Sequence, residues 1–215
     1  MTDTALFSLW GIGGYILGSI PFGLVLCYLA GYGDIRKIGS GNIGATNVLR
    51  TGNKWLALLT VILDASKAGL IAWLALKFVD TKTFNIGNVT TDLNIAVALF
   101  AGSMAIIGHN FPIWLKFKGG KGVASAFGFI LVTQPALALC AFGIWLFMAF
   151  TFRYSSLSAI VAAFSLPVIT YFYAEPVYVI CYSALVVLVL VRHHANFARL
   201  FRGEESKISF KKKAK

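Results

Sequence analysis

The sequence predicts an all-α integral membrane protein with seven transmembrane helices, some of them short or kinked. Hydrophobic residues make up 58% of the 215 residues and charged residues only 13%, whereas soluble domains carry about a quarter charged residues. The apolar residues fall into runs near the ~20 residues that a spanning helix needs. Composition therefore favours one membrane domain over residues 1–215, and it argues against nucleic acid as the partner of this basic chain.

The first apolar run covers roughly residues 5–30. Gly14 and Gly18 form a GxxxG spacing, which favours close packing against another helix. Pro21 predicts a kink or a thinning of this helix, which neighbouring helices can tolerate in a membrane.

The second run, from Lys54 to about Val79, carries two charged residues near its middle. Asp64 and Lys67 lie three residues apart, so they share one face of a helix. Charges at that depth are costly and usually face the protein interior. Two interpretations stay open, a mutually satisfied structural pair or part of a polar site.

Polar segments and prolines separate the remaining apolar runs. Residues 80–92 are predicted as a polar loop before a third span over Leu93 to Ile107. The stretch from Val123 to Phe152 is too long for one straight span at ~1.5 Å per residue, and Gln134-Pro135 divides it in two. The last two spans are predicted over 157–173 and 177–191.

The distribution of lysine and arginine favours seven spans over six. With seven spans, the N-terminus lies outside and the C-terminus is cytoplasmic. Of the 19 basic residues, all but Lys67, Lys77 and Lys82 then lie on the cytoplasmic side, as the positive-inside rule requires. Six spans would place the basic segment 192–215 opposite the glycine-rich loops.

Two glycine-rich loops carry most of the candidate site. In Gly39–Asn47, glycines alternate with small hydroxyl and amide residues, so several backbone N–H groups can point at one anion. Gly119–Gly122 forms the second loop. Charge would come from Arg50, Lys116, Lys118 and Lys121, and neutral hydrogen bonds from Ser40, Asn42, Thr46 and Asn47. Contact with anionic lipid headgroups is the alternative for the lysines, and we accept it for Lys211 to Lys215.

Motifs of soluble enzymes fit the sequence poorly. Gly39–Gly44 matches GxGxxG, but it joins two membrane-length segments instead of a strand and a helix. Lys121 is followed by glycine, so its loop is not a Walker A motif. None of the three histidines is followed five residues later by aspartate, so the HxxxxD acyltransferase signature is absent. Histidines without cysteine or carboxylate partners make a weak metal site, and we predict no metal and no cofactor.

Three sets of residues nevertheless resemble the bacterial acyl-phosphate-dependent glycerol-3-phosphate acyltransferase family. They are Gly39–Asn47, Gly108–Pro112 with Phe117–Gly122, and Arg192-His193 with Asn196, Arg199-Leu200 and Gly203-Glu204. Gly18–Gly23 and Asp64–Gly69 are also similar to that family. The likeness covers nearly the whole chain in the same order.

The resemblance implies the first acylation step of phospholipid synthesis. A fatty acyl group would pass from acyl-phosphate to the 1-hydroxyl of sn-glycerol 3-phosphate, giving lysophosphatidic acid and phosphate. The family is a multi-pass enzyme of the bacterial inner membrane, surrounded by membrane lipids, with its active site at the cytoplasmic face and a separate soluble enzyme supplying acyl-phosphate. Asp64, Lys67 and Pro21 keep a transporter of phosphate or a phosphate ester as the alternative, and a lipid-binding structural protein ranks last.

The resemblance also implies roles for individual residues. Ser40 and the Gly41–Asn47 backbone would hold acyl-phosphate, with the acyl chain near the small residues of the first span. The residues predicted to be catalytic are Ser40, Lys121, His193 and Asn196. The predicted substrate-binding residues are Gly41, Asn42, Gly44, Ala45, Thr46, Asn47, Arg50, His109, Lys118, Gly119 and Gly120. Arg50, Lys121, His193 and Asn196 would position glycerol 3-phosphate, and the base stays open between His193 and the phosphate of the substrate.

Overall fold

The computed structural model describes residues 1–208. It is mostly helical, as predicted, and it separates into two compact units, the first being Met1–Gln134 and the second beginning at Pro135. The organisation of residues 1–215 as one domain stays a prediction. Lys211 to Lys215, which we expect to contact lipid headgroups, lie outside the described residues.

The first unit contains the helices and the hairpin that surround the two glycine loops. Its helices are α1 (Asp3–Gly18), α2 (Phe22–Leu29), α3 (Ala45–Val48), α4 (Lys54–Phe78), α5 (Leu93–Asn110) and α6 (Val123–Thr133), and its strands are β1 (Thr83–Ile86) and β2 (Val89–Asp92). The second unit contains α7 (Pro135–Phe152), α8 (Ser155–Tyr173), α9 (Pro176–Arg192) and α10 (His194–Phe201).

Several of these helices can cross a membrane. Within residues 1–208, five helical segments are long and apolar enough, and a sixth is added if α9 and α10, bent by 57°, form one span. Helix α6 has only 11 residues, about 16 Å of helix, against a hydrocarbon core of about 30 Å. The count of seven spans and the orientation of the termini therefore stay predictions.

The predicted break at Pro21 is confirmed. Helix α1 ends at Gly18 and α2 begins at Phe22, because proline has no N–H to continue the helical ladder. Leu24 N donates to Pro21 O, and the Ile20 carbonyl accepts from Phe22 N at 3.1 Å. The same carbonyl also accepts from Lys67 Nζ at 3.1 Å. The break thus supplies a buried acceptor to α4.

The glycine face of α1 packs against α5, as the GxxxG spacing predicts. A Cβ at Gly14 would clash with the Ala101 carbonyl, and one at Gly18 would clash with the Ala105 carbonyl. This face is filled by the backbone of α5. An acyl chain therefore has no room against Gly14 and Gly18, contrary to our expectation from the sequence.

The segment between α4 and α5, predicted as a polar loop over residues 80–92, contains two short strands. Residues 83–92 form an antiparallel hairpin in which Ile86 pairs with Val89. Gly87, with φ of +59°, and Asn88 form its two-residue turn, for which a glycine is typical. Phe84 of β1 packs on Phe7 of α1, with ring centroids 5.4 Å apart.

Helix α4 lies at the centre of the first unit, where it packs against α1, α5 and α6. Small residues allow the close approach, because a Cβ at Gly128 of α6 would clash with the Ala65 carbonyl of α4. Asp64 and Lys67 point into this core and are 3% and 2% exposed. The predicted division at Gln134-Pro135 is also confirmed, since α6 ends at Thr133 and α7 begins at Pro135.

Candidate functional site

The first glycine loop is shaped by backbone conformations that favour glycine. Gly39 and Gly41 have φ of +56° and +70°, a region that costs other residues roughly 1–2 kcal/mol. The Asn42 side chain accepts a hydrogen bond from Gly44 N at 3.1 Å. Helix α3 then begins at Ala45. Four predicted substrate-binding residues, Gly41, Asn42, Gly44 and Ala45, are therefore turn and helix-start positions.

Asn47 holds this loop together from inside. Its Nδ2 lies 2.7 Å from Ile35 O, 2.8 Å from Asn42 O and 3.2 Å from Ile38 O, and its Oδ1 accepts from Ser40 N at 3.1 Å. The side chain is buried. We therefore assign Asn47 the role of positioning the loop, which makes its effect on any substrate indirect.

The groups that this loop presents to solvent are Ser40, Thr46 and Arg50, all exposed. The Arg50 guanidinium lies against Gly39, where a Cβ would clash with Nη1. A hydroxyl and a guanidinium thus lie on one exposed loop. Four of its backbone N–H groups donate within the loop and its flank instead of pointing at an anion, namely those of Ser40, Gly41, Gly44 and Asn47.

The second glycine loop follows α5 and is tightly bonded. Lys116 and Phe117 adopt left-handed φ of 51° and 62°, which is uncommon for residues other than glycine. Phe117 N donates to Pro112 O at 3.0 Å, and Gly119 N donates to Asn110 O at 3.1 Å. From α1, the Tyr15 hydroxyl donates to Phe111 O at 2.8 Å. Backbone hydrogen bonds within the segment and a side-chain hydrogen bond from α1 thus hold the chain reversal in place.

This loop leads directly into the N-terminus of α6. Gly122 precedes the helix with φ of +79°, and the unpaired N–H groups of a helix start attract anions. Lys121, next to it, is half-buried, whereas Lys118 is exposed. The N–H groups of Gly119 and Gly120 donate to Asn110 O and His109 O, so the first turn of α6 is the part of this segment that can offer N–H groups to an anion.

Asn110 lies in the Gly108–Pro112 motif but was not among the predicted site residues. It is 0% exposed, and within residues 1–208 neither its Oδ1 nor its Nδ2 has a hydrogen-bond partner. Its amide faces Gly122, where a Cβ would lie 2.8 Å from Oδ1. Unsatisfied buried amides are rare in proteins, so Asn110 is an additional candidate for the polar lining beside α6. Its place in that motif, next to His109, was the signal in the sequence that could have found it.

A charge network within the helices connects α4 to the second loop. Lys67 Nζ lies 2.9 Å from Asp64 Oδ1 and 2.7 Å from His109 Nδ1. His109 O accepts from Gly120 N at 3.0 Å. Of the two interpretations of Asp64 and Lys67, the contact with His109 supports the polar site, because the pair extends to a predicted site residue.

The two glycine loops lie at the same end of the first unit. Under the first loop, Ile35, Ile43 and Val48 belong to a buried cluster. Leu115, in the segment that joins α5 to the second loop, packs against this cluster. The predicted association of these two loops is confirmed.

The second unit carries the predicted His193 and Asn196 at the bend between α9 and α10. His193 is 2% exposed, and its Nδ1 lies 2.7 Å from Val189 O. Asn196 Nδ2 donates to Glu205 Oε1 at 2.7 Å. Its Oδ1 is buried and has no partner within residues 1–208.

Glu205, not Glu204, is the acidic residue that organises this segment. Its carboxylate accepts from Ser156 Oγ at 2.7 Å and Arg199 Nε at 2.6 Å in addition to Asn196, whereas Glu204 is exposed. Burial alone would raise the pKa of the Glu205 carboxyl, but these three hydrogen bonds hold that pKa below its ordinary value. Gly203-Glu204 was named only for its likeness to the family, and Glu205 beside it was not singled out from the sequence.

Residues 8–203 match the family model described as glycerol-3-phosphate acyltransferase. The glycerol-3-phosphate acyltransferase of Rhodospirillum rubrum is 50% identical over 203 residues, covering 94% of this chain and 91% of that protein. The one from Paramagnetospirillum magneticum is 50% identical over 202 residues, covering 94% of each.

Solved structures agree with this sequence match. A crystal structure of PlsY (YgiH), an integral membrane glycerol 3-phosphate acyltransferase in its glycerol 3-phosphate form, matches with a TM-score of 0.83 and 35% identity, covering 94% of this chain and 96% of that one. Its lysophosphatidic acid form matches with a TM-score of 0.81 and 34% identity, covering 94% and 95%.

Proposed function

This chain belongs to the glycerol-3-phosphate acyltransferase family, and we propose that it transfers a fatty acyl group from acyl-phosphate to the 1-hydroxyl of sn-glycerol 3-phosphate. The products are lysophosphatidic acid and inorganic phosphate. Family membership makes it a multi-pass membrane acyltransferase and decides against the transporter that the sequence left as the alternative.

The observation that carries the donor assignment is the pair of phosphate-binding features on one end of the first unit. One is the exposed loop with Ser40 and Arg50, and the other is the N-terminus of α6 with Lys121. The first offers a hydroxyl and a guanidinium, and the second offers a lysine and the N–H groups of a helix start; both sets suit a phosphate group. Two phosphate sites match a reaction in which both acyl donor and acceptor carry phosphate.

The chemistry needs orientation more than a strong nucleophile. The 1-oxygen of glycerol 3-phosphate attacks the acyl carbonyl carbon, the bond from that carbon to the phosphate oxygen breaks, and phosphate leaves. Ser40 and its loop would hold the acyl-phosphate and stabilise the charge that develops on the leaving group. Arg50 and Lys121 would fix glycerol 3-phosphate in position.

The second unit supplies groups that suit the acceptor. Because a carbonyl can only accept, His193 Nδ1 donates to Val189 O, and the neutral ring then has its acceptor nitrogen at Nε2. That polarity suits a general base for the 1-hydroxyl. Asn196 Oδ1 is an acceptor and suits a glycerol hydroxyl. The phosphate of the substrate stays the alternative base.

The cellular setting follows from the same proposal. We place the protein in a bacterial inner membrane, with seven spans, the N-terminus outside and the active site at the cytoplasmic face. A separate soluble enzyme would supply acyl-phosphate. The basic loops between α1 and α4 and between α5 and α6 support this orientation.

The purified protein in lipid nanodiscs tests the proposal. Incubation with palmitoyl-phosphate and glycerol 3-phosphate should release inorganic phosphate and lysophosphatidic acid in equal amounts. Lys121→Ala should lower kcat/KM by about 10²–10³-fold, whereas Lys82→Ala, at an exposed ion pair with Asp3, should leave it unchanged. Equal use of palmitoyl-CoA would show that the donor assignment is wrong.

A further inference from the structure

The most demanding polar feature of the molecule is the buried ammonium of Lys67. Burial of a lone charge inside a helical membrane core is costly, so each N–H group of the ammonium is expected to have an acceptor. Three acceptors surround Nζ: Asp64 Oδ1 at 2.9 Å, His109 Nδ1 at 2.7 Å and Ile20 O at 3.1 Å. The Phe22 ring centroid lies 5.7 Å away, a contact that also favours a cation.

This arrangement matches the donors of an ammonium group one for one. A charged lysine has three N–H donors and no acceptor, so each of the three neighbours must accept. His109 Nδ1 must then carry its lone pair, and the neutral ring has its hydrogen on Nε2. Asp64 Oδ1 lies farther from Nδ1, at 3.5 Å, so Lys67 is the nearer partner of that nitrogen.

The Nε2 side of the ring faces the second glycine loop. A Cβ at Gly120 would clash with Nε2, and the same residue donates through its N–H to His109 O. The imidazole is therefore held between Lys67 on one side and Gly120 on the other. A hydrogen on Nδ1 would point at the ammonium.

We propose that Lys67 is a positioning residue for the acyl transfer: its ammonium holds His109 as the Nε2–H tautomer against Gly120, beside Lys121. His109 then presents a hydrogen-bond donor, not a base, to the side of the glycine loop. The expected effect on rate rests on the function proposed above. The tautomer of His109 does not, because it can be measured without substrate.

A structural ion pair alone would make a different prediction. Asp64 and Lys67 would then serve only to neutralise each other, and their joint replacement by neutral residues of similar size would leave the reaction unchanged. The double variant Asp64→Asn with Lys67→Met removes both charges together, so it leaves no unpaired charge in the core. This variant therefore distinguishes two roles of the pair: mutual neutralisation of charge, and fixing the tautomer of His109.

The test combines kinetics with ¹⁵N NMR of histidine-labelled protein in nanodiscs. The chain has three histidines, so the His193→Gln, His194→Gln background isolates the His109 ring for the spectra. With Lys67 present, Nδ1 should resonate as an unprotonated nitrogen and Nε2 as a protonated one. In the double variant, the Nδ1-protonated form should appear. In the otherwise native chain, the same double variant should lower kcat about 10-fold, the size typical of losing an outer-shell partner.

Two controls complete the design. Lys82→Met removes a lysine from the exposed Asp3 pair and should change neither spectrum nor kcat. Lys67→Arg in the native background keeps a cation and should retain the Nε2–H signal if it folds. A protonated Nδ1 with Lys67 present, or an unchanged spectrum and kcat in the double variant, would overturn the proposal. Failure of the native protein to use acyl-phosphate would contradict the proposed function and leave the tautomer result standing.

Discussion

The two buried histidines of the molecule differ in the atom that faces Nδ1. In the first unit, Lys67 Nζ lies 2.7 Å from His109 Nδ1, and in the second unit Val189 O lies 2.7 Å from His193 Nδ1. An ammonium donates and a carbonyl accepts, so equal distances imply opposite tautomers. His109 has its hydrogen on Nε2, and His193 has its lone pair there. The atom that faces Nδ1 thus makes Nε2 of His109 a hydrogen-bond donor and Nε2 of His193 an acceptor.

The largest effect is expected at His193, which we propose as the base. His193→Gln keeps a hydrogen-bonding side chain but removes the basic nitrogen. We expect kcat to fall by about 10²–10⁴-fold, the usual contribution of a general base. Phosphate release with saturating substrates measures it. A native kcat in this variant would assign the base to the phosphate of the substrate.

The next effect is expected at Gly120, which faces His109. Gly120→Ala would push a methyl group into the imidazole, and overpacking of this kind costs about 1–3 kcal/mol. A displaced loop should also lower kcat/KM by about 10²-fold. Gly13→Ala is the matched control, because a Cβ there meets nothing within 4 Å, and it should leave both stability and rate unchanged. Equal behaviour of the two variants would contradict the packing around His109.

A smaller effect is expected when His109 itself is replaced by glutamine. The glutamine amide oxygen can accept from Lys67, and its amide nitrogen can donate toward Gly120. The variant therefore keeps both the acceptor and the donor that the His109 ring provides. We expect kcat to fall only about 10-fold, well short of the loss in His193→Gln. If His109→Gln is instead the more damaging of the two in the phosphate-release assay, the assignment of donor and base is reversed.

The smallest effect is expected at Glu205. Its carboxylate accepts a hydrogen bond from Asn196, which follows His193 by three residues. Its folded pKa lies below the unfolded value, so its stabilisation is complete above the unfolded pKa and is lost as pH falls toward the folded one. Glu205→Gln should therefore lower the free energy of unfolding by about 1 kcal/mol at pH 7. Thermal unfolding at pH 7 and pH 4 should show this difference shrinking at the lower pH. A difference that grows on acidification would contradict the hydrogen-bonded carboxylate.

Local rules predict much of this fold from the sequence. Pro21 and Pro135 each lie at a helix break within an apolar run, although Pro167 lies inside α8. The GxxxG spacing of Gly14 and Gly18 typically marks close helix packing in membranes. The hairpin was missed because four-residue strands give almost no periodic signal, although Gly87-Asn88 is a typical two-residue turn.

The candidate site was harder to predict where it depends on long-range contacts. Glycine-rich composition indicated both loops, and their association is confirmed by the packing of Leu115. The contact between Lys67 and His109 joins residues 42 positions apart, and the Ile20 carbonyl reaches Lys67 across 47 positions. No spacing rule covers such pairs. The role of Asn47 inside its loop likewise depends on three carbonyls that only the folded chain brings together.

The most direct test of opposite histidine polarity is a single ¹⁵N spectrum of the native protein labelled at histidine, in nanodiscs without substrate. Variants at each histidine assign the signals. We predict that His109 is protonated at Nε2 and unprotonated at Nδ1, and that His193 is protonated at Nδ1 and unprotonated at Nε2. A spectrum in which both rings carry their hydrogen on the same nitrogen would contradict this account.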